Sequence, residues 1–200
     1  SRLPVSEVFD LLDVPALRNR FDLSEAELPT LHRWIEGAGV RWGMDMQQRE
    51  ALGLPAGLEA NSWRFGLRRM LLGYAGGSAA AWQDIEPYDE VGGLDAALIG
   101  PLSQLLQHLD RHEQQLREPA APVVWGEPLR QLLADFFSAD TERDQLLLAQ
   151  LQESLANWLE LCERVALDTP LPLKVVAEAW LDGAGQSQLS QRFLAGAVNV

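Results

Sequence analysis

Residues 61–75, NSWRFGLRRMLLGYA, constrain the fold more than any other stretch of this chain. Trp63, Leu67, Met70, Leu71 and Tyr74 recur at i, i+4, i+7, i+8 and i+11, which lays a wide apolar stripe along one side of an α-helix. Asn61 is suited to cap that helix by accepting a bond from a free first-turn N–H, and Gly76-Gly77 is suited to end it. Arg64, Arg68 and Arg69 fall on the remaining surface, with Arg64 and Arg68 stacked one turn apart. Aromatics on one flank and guanidinia on the other describe a central packing element with a polar task. If the stripe is buried as drawn, Trp63→Ala or Leu71→Ala costs roughly 2–5 kcal/mol.

Helical spacing recurs along the rest of the chain. Val5, Val8, Phe9 and Leu12 face one way over residues 4–13, and Pro15 opens a second short helix with Leu17 and Phe21 as its apolar contacts. Ser24 and Glu27 have the spacing of a capping box, but Pro29 forbids a helix running straight through from Ser24. A turn at 24–28 and a helix over 29–36 follow, with Leu31, Trp34 and Ile35 inward and Gly37 and Gly39 at its end. Asp45 and Gln48 form a second capping box, opening a helix to about residue 52; residues 53–60 are a loop. Residues 78–93 make the longest loop. Residues 94–117 read as one kinked helix or two abutting ones, 118–124 as a linker and 128–137 as a helix. Asp140 caps the longest helix, to about residue 167, on a stripe of Leu147, Leu151, Leu155, Trp158, Leu159 and Cys162. A last full helix over 172–181 closes at Gly183 and Gly185; one further turn at 188–193 precedes residues 197–200, which alternate like a strand beginning. The expected fold is all-α, an irregular multi-helix bundle with a terminal β-strand at the C-terminus.

Several chemistries are not encoded. Lys174 is followed by Val175, so there is no phosphate-binding P-loop. Gly37-Ala-Gly39 and Gly183-Ala-Gly185 lack the third glycine of a dinucleotide loop and read as helix C-caps. His108 and His112 have zinc-protease spacing, but Leu109 stands where the general-base Glu belongs, so they read as solvated helix-face residues; His32 reads as structural. Cys162 is the only cysteine, which excludes an internal disulfide; it reads as a small buried hydrophobe. The acids at 84, 86, 89 and 90 read as charged surface. No catalytic residue, cofactor, metal or small-molecule ligand is expected. Neither a signal peptide nor an apolar run of about 18 residues is present, so a cytoplasmic protein without a membrane partner is expected. The net charge of −13 repels DNA at long range, so any nucleic-acid contact is local or supplied by a partner. The candidate contact is Arg64, Arg68 and Arg69 with Arg41 and Trp42, because guanidinia fork onto phosphate and an indole stacks a base. The alternative is that these arginines pair with the surplus acids and tie the domain to a neighbour.

Four segments carry a resemblance: LLDVPALRNRFDLSEAELPTLHRWIEGAGVRWGMD, NSWRFGLRRMLLGYA, the PYDE of residues 87–90, and SQRFLAGAVNV. They resemble RecC, the gamma chain of exodeoxyribonuclease V, the RecBCD helicase–nuclease. Residues 62–75 and 190–200 are the most specific; 98–186 match only as a helical pattern. The resemblance implies a superfamily 1 helicase-like fold that has lost its ATPase motifs, with a helical domain inserted into its second motor lobe. Residues 1–22 would then be a short helical lead-in from that lobe, 23–193 the insert domain and 194–200 the start of a lobe strand. The sequence opens without Met and stops on that strand, as a piece of a longer protein would. The implied role is a non-catalytic scaffold and DNA-channel element in double-strand break repair and recombination, with RecB, RecD and DNA as partners. No Chi-reading residue of the family maps onto a motif here. The other reading is a stand-alone acidic helical protein–protein interaction module. If Arg64, Arg68 and Arg69 face phosphate, replacing them with Ala in the complete complex weakens DNA engagement. The salt dependence then flattens by up to about one log unit per lost contact, and an unaltered slope assigns the three to structural pairing.

Overall fold

A computed structural model describes residues 2–77 and 81–196, the last eleven of these as backbone alone. The fold is all-α: α1 (Val5–Leu12), α2 (Pro15–Arg20), α3 (Leu28–Gly37), α4 (Met46–Ala51), α5 (Trp63–Gly76), α6 (Ile99–Gln115), α7 (Pro122–Phe136), α8 (Glu142–Arg164) and α9 (Leu173–Gly196). Short 3₁₀ segments at Glu25–Glu27 and Gly93–Leu98 precede α3 and α6. Among the described residues there is no strand, only isolated bridges pairing Trp82 with Ile85 and Ala120 with Leu171. None of the described helices is long and apolar enough to cross a membrane. The chain divides into two compact units, 1–110 and 111–200.

In the first unit, the Ser24–Glu27 capping box forms, and Asp45 caps α4. Glu27 Oε2 accepts from the Ser24 N–H and hydroxyl at 2.7 Å each, and Asp45 Oδ1 accepts from the Gln48 N–H at 2.9 Å. Gln48 Oε1 in turn accepts from the Met44 N–H at 2.6 Å. Leu12, Leu17, Leu31, Trp34, Ile35, Trp63, Met70, Leu102 and Leu105 are buried, so the inward positions predicted for α3 hold.

Helix α5 departs from its predicted stripe. Ser62, not Asn61, caps it, its hydroxyl accepting from the Phe65 N–H at 3.2 Å. Asn61 lies one residue earlier in the left-handed region (φ 64), a conformation Asn tolerates, and its carbonyl accepts from the N–H of Arg41 at 2.9 Å. The buried face is Trp63, Gly66, Met70 and Gly73, whereas Leu71 and Tyr74 are 44% and 60% exposed. Two close approaches explain the rotation. A Cβ on Gly66 would lie 2.2 Å from Val40 Cγ2, and one on Gly73 would lie 1.7 Å from the Tyr88 carbonyl oxygen. The glycines face inward because other chain segments fill the space their side chains would need.

The second unit is built on Leu116, Trp125, Leu129, Leu133, Leu155, Val176 and Trp180. Helix α7 starts at Pro122, earlier than predicted, and Pro128 sits inside it. Pro122 occupies an N-terminal position where a missing N–H costs nothing. Pro128 leaves the carbonyl four residues back without its helical donor, and that residue, Val124, is exposed to solvent. Thr141, not Asp140, caps α8, its hydroxyl accepting from the Asp144 N–H at 3.1 Å. Leu155 and Cys162 on its stripe are buried. Helix α9 does not close at Gly183 and Gly185 but continues to Gly196. A Cβ on Gly183 would lie 2.8 Å from Ser154 Oγ, whose hydroxyl donates to the Trp180 carbonyl at 2.8 Å. Gly183 therefore permits a close approach of α8 and α9 and does not act as a C-cap. The strand expected at 197–200 lies outside the described residues, and Leu194–Gly196 belong to α9.

These contacts set a mutational order measurable by urea denaturation. Trp63→Ala is expected to cost about 3–5 kcal/mol. Gly73→Ala should cost at least about 1–3 kcal/mol, because the added methyl meets backbone that cannot rotate away. Leu71→Ala, on a partly exposed side chain, should cost under about 1 kcal/mol.

Candidate functional site

The guanidinia of α5 all have partners. Arg64 spans two carboxylates, Nη1 at 3.3 Å from Asp45 Oδ2 and Nη2 at 3.2 Å from Asp110 Oδ2. Arg68 pairs with Glu59. Arg69 binds carbonyls instead, Nε donating to Glu86 and Nη1 to Ala38 at 2.8 Å each, while its own carbonyl accepts from the Tyr88 N–H at 2.9 Å.

Arg41 and Trp42 occupy the turn between α3 and α4. Its backbone is fixed on both sides: Arg41 N–H donates to Asn61, Val5 N–H donates to the Arg41 carbonyl at 3.1 Å, and Gly43 N–H donates to the Arg2 carbonyl at 2.8 Å. The Arg41 side chain is exposed, and among the described residues its one hydrogen bond is a 3.3 Å contact to the neighbouring Val40 carbonyl. With Arg2, Pro4, Glu7 and Trp42 it lines an open cavity of about 610 Å³.

Behind Trp42 lies Arg49, which sequence reasoning missed. It is 4% exposed, yet no carboxylate among the described residues pairs with it. Its Nη1 donates to the carbonyls of Leu58 (2.8 Å) and Ala60 (2.7 Å), and Nη2 to that of Trp42 (2.6 Å). The guanidinium carbon stands 4.5 Å from the Trp42 ring centroid, a cation–π contact. Burial pushes the Arg49 pKa down from its ordinary value. No sequence signal marked this residue beyond its place on the helix opened by Asp45.

His108 and His112 differ from their expected solvated state, and His32, expected to be structural, is the exposed one. In the second unit His112 is 3% exposed, its Nε2 lying 2.8 Å from Asp135 Oδ2, an oxygen shared with Arg111; Gln131 donates to the other oxygen at 2.8 Å. In the first unit His108 meets Phe21 edge-on, with centroids 5.5 Å apart. Helix α6 is packed on the side that carries these residues, and a pattern of polar letters does not reveal that. His32 is exposed, with its ring 4.8 Å from that of Phe9. Cys162 is buried as expected, and burial pushes its thiol pKa up.

The family model for the RecBCD enzyme subunit RecC fourth domain matches residues 1–188. This chain belongs to the RecC family. Among curated relatives, the RecBCD enzyme subunit RecC of Escherichia coli (strain K12) is 39% identical over 204 residues, covering 100% of the chain and 18% of the relative. That of Haemophilus influenzae is 32% identical over 200 residues, covering 100% and 17%. That of Mycobacterium tuberculosis (strain H37Rv) is 30% identical over 131 residues, covering 64% and 12%. The chain thus spans less than a fifth of the length of the RecC proteins it matches.

Two measurements probe the polar groups of this RecC domain. Arg49→Met should cost roughly 2–4 kcal/mol in denaturation, since three carbonyls lose charge-assisted donors. The Tyr88 phenol is pushed up to about 12, first by burial and then by the 2.9 Å hydrogen bond that it donates to Glu90. Its neutral form is favoured by folding, so that stabilisation is complete below the unfolded value of about 10 and is lost as pH rises from there to about 12. Denaturation midpoints of Tyr88→Phe should fall less steeply across this interval than those of the parent chain.

Proposed function

We propose that this RecC fourth domain serves in a RecBCD-type assembly as a non-catalytic scaffold that borders the DNA path, and that Arg41 and Trp42, joined by Arg2, make its DNA contact. The observation carrying this reading is an exposed arginine pair lining one open cavity with an indole whose position is fixed by Arg49. Guanidinia at such a site reach phosphate and an indole stacks a base, a combination suited to single strands of any sequence. A local site of this kind is compatible with a net charge of −13, because the rest of the complex can supply the long-range attraction. In this reading Arg64, Arg68 and Arg69 brace α5, as their carboxylate and carbonyl partners suggest, and contribute to DNA contact only indirectly. RecB and RecD are the proposed partners, and double-strand break repair and recombination the proposed setting. The sequence has no P-loop to give the domain an ATPase step of its own.

The test uses complete RecC assembled with RecB and RecD, with DNA binding followed against salt. Arg41→Ala should lower the salt slope by about one, and Trp42→Ala should weaken binding by about 1–3 kcal/mol without changing the slope. Arg64→Ala should leave the slope unchanged and lower thermal stability. Unchanged DNA binding and unwinding in both Arg41→Ala and Trp42→Ala rejects the DNA contact. Impaired assembly with normal DNA binding by the complex that does assemble would transfer these two residues to a subunit interface, the outcome expected of an acidic interaction module.

A further inference from the structure

A second feature lies in the unit formed by residues 111–200, between the first half of α7 and the last half of α8. A groove of about 670 Å³ opens there. Its floor is mainly apolar, buried Gly126 and Cys162 with half-buried Leu159, and the Arg130 guanidinium reaches to its edge, Nη1 lying 3.4 Å from where a Cβ on Gly126 would stand. A Cβ on Gly126 would lie 2.9 Å from Leu159 Cδ1, so the two helices meet closely at the floor. One wall is raised by Val123, which is 82% exposed although it belongs to the groove lining. Leu167, 39% exposed, lies on the same lining, so Val123 is not alone: an apolar surface is left in water on a packed helix pair, of the kind that partners cover.

The rim identifies the partner. Glu163 and Asp168 stand at the α8 end, both exposed and without an ion-pair partner among the described residues. Glu127, at the α7 side, is met only loosely by Arg130 at 3.8 Å. An apolar floor with a predominantly anionic rim complements a segment that presents aliphatic side chains flanked by Lys or Arg. Two helices that meet closely at such a floor receive the segment most readily as a third helix, read at i, i+3/i+4 and i+7. The same rim disfavours the other occupants. Nucleic acid and anionic lipid are repelled by it, and a second copy of this chain brings another −13 charges.

We propose that the α7–α8 groove is a docking site for a basic amphipathic helix of another protein chain. The probe is a Lys/Leu amphipathic peptide of about five helical turns, titrated into the ¹⁵N-labelled 200-residue chain, beside its Glu/Leu counterpart. Saturable shifts confined to residues of α7 and α8 are expected with the Lys/Leu peptide and none with the Glu/Leu peptide. Val123→Arg, an exposed substitution that leaves the core intact, should weaken binding by about tenfold or more, as should Glu163→Lys with Asp168→Lys. Glu178→Lys with Asp182→Lys changes the net charge equally on α9 and should alter binding by less than about twofold. Equal losses in both double variants, shifts lying elsewhere, binding of the Glu/Leu peptide, or self-association of the free chain through this face would each overturn the assignment.

Discussion

The buried Arg49 guanidinium is the group on which the first unit's loops depend. A cation removed from water without a carboxylate must be solvated by dipoles, and here the dipoles are the carbonyls of Trp42, Leu58 and Ala60. These carbonyls belong to the turn before α4 and the loop before α5, so one side chain sets the path of both. With that path fixed, Trp63 and Arg64 donate to the carbonyls of Gly43 and Met44 at 2.9 Å each, and α5 begins where Ser62 can cap it. The Trp42 ring is placed by the same guanidinium. The exposed Arg41–Trp42 surface is therefore the outer side of a buried polar network.

Charge in this domain is divided between inside and outside. Arg18, Arg49 and Arg69 donate to backbone carbonyls, at Leu12, Leu58 and Ala38 among others, and Arg64 and Arg68 face carboxylates. Much of the basic complement is thus used in holding loops and helix ends, while acids such as Glu163 and Asp168 remain on the surface. An arginine's planar fork suits this work because it can serve several carbonyls at fixed angles, which a lysine ammonium does less well. What stands out from an anionic exterior is then the small exposed cationic surface at Arg2 and Arg41, and its contrast with the apolar, acid-rimmed groove of the second unit.

Local rules were legible in the sequence; rules of approach were not. The Ser24–Glu27 box and the Asp45 cap depend on atoms three residues apart, and both form, although the Gln48 side chain turns to the Met44 N–H. Leu31, Trp34 and Ile35 were likewise correctly placed, because large apolar residues at helical spacing have one economical destination. Glycine carries no such signal. At Gly183 the same letter that ends helices instead admits Ser154, and at Gly73 it admits the Tyr88 carbonyl, so the helix face predicted from Leu71 and Tyr74 was turned away from the true one. Proline at 128 and histidine at 112 erred for the same reason: their outcome depends on what lies opposite, not on neighbours in the chain. Arg41 and Trp42 could be singled out in the sequence by residue type alone, whereas Arg49, which fixes the indole, has no distinguishing spacing. The family resemblance was carried by segments such as residues 62–75, where packing and polar demands coincide.

Arg69 joins three parts of the first unit through one residue. Its guanidinium holds the Ala38 carbonyl just past α3 and the Glu86 carbonyl, and its own carbonyl holds Tyr88. None of these three attachments can let go while the helix turn at Arg69 stays in place without leaving a carbonyl or amide to find water. Opening any one of the three strains the helix turn that holds the other two, so the end of α3, the middle of α5 and the 86–88 segment are tied through a single residue.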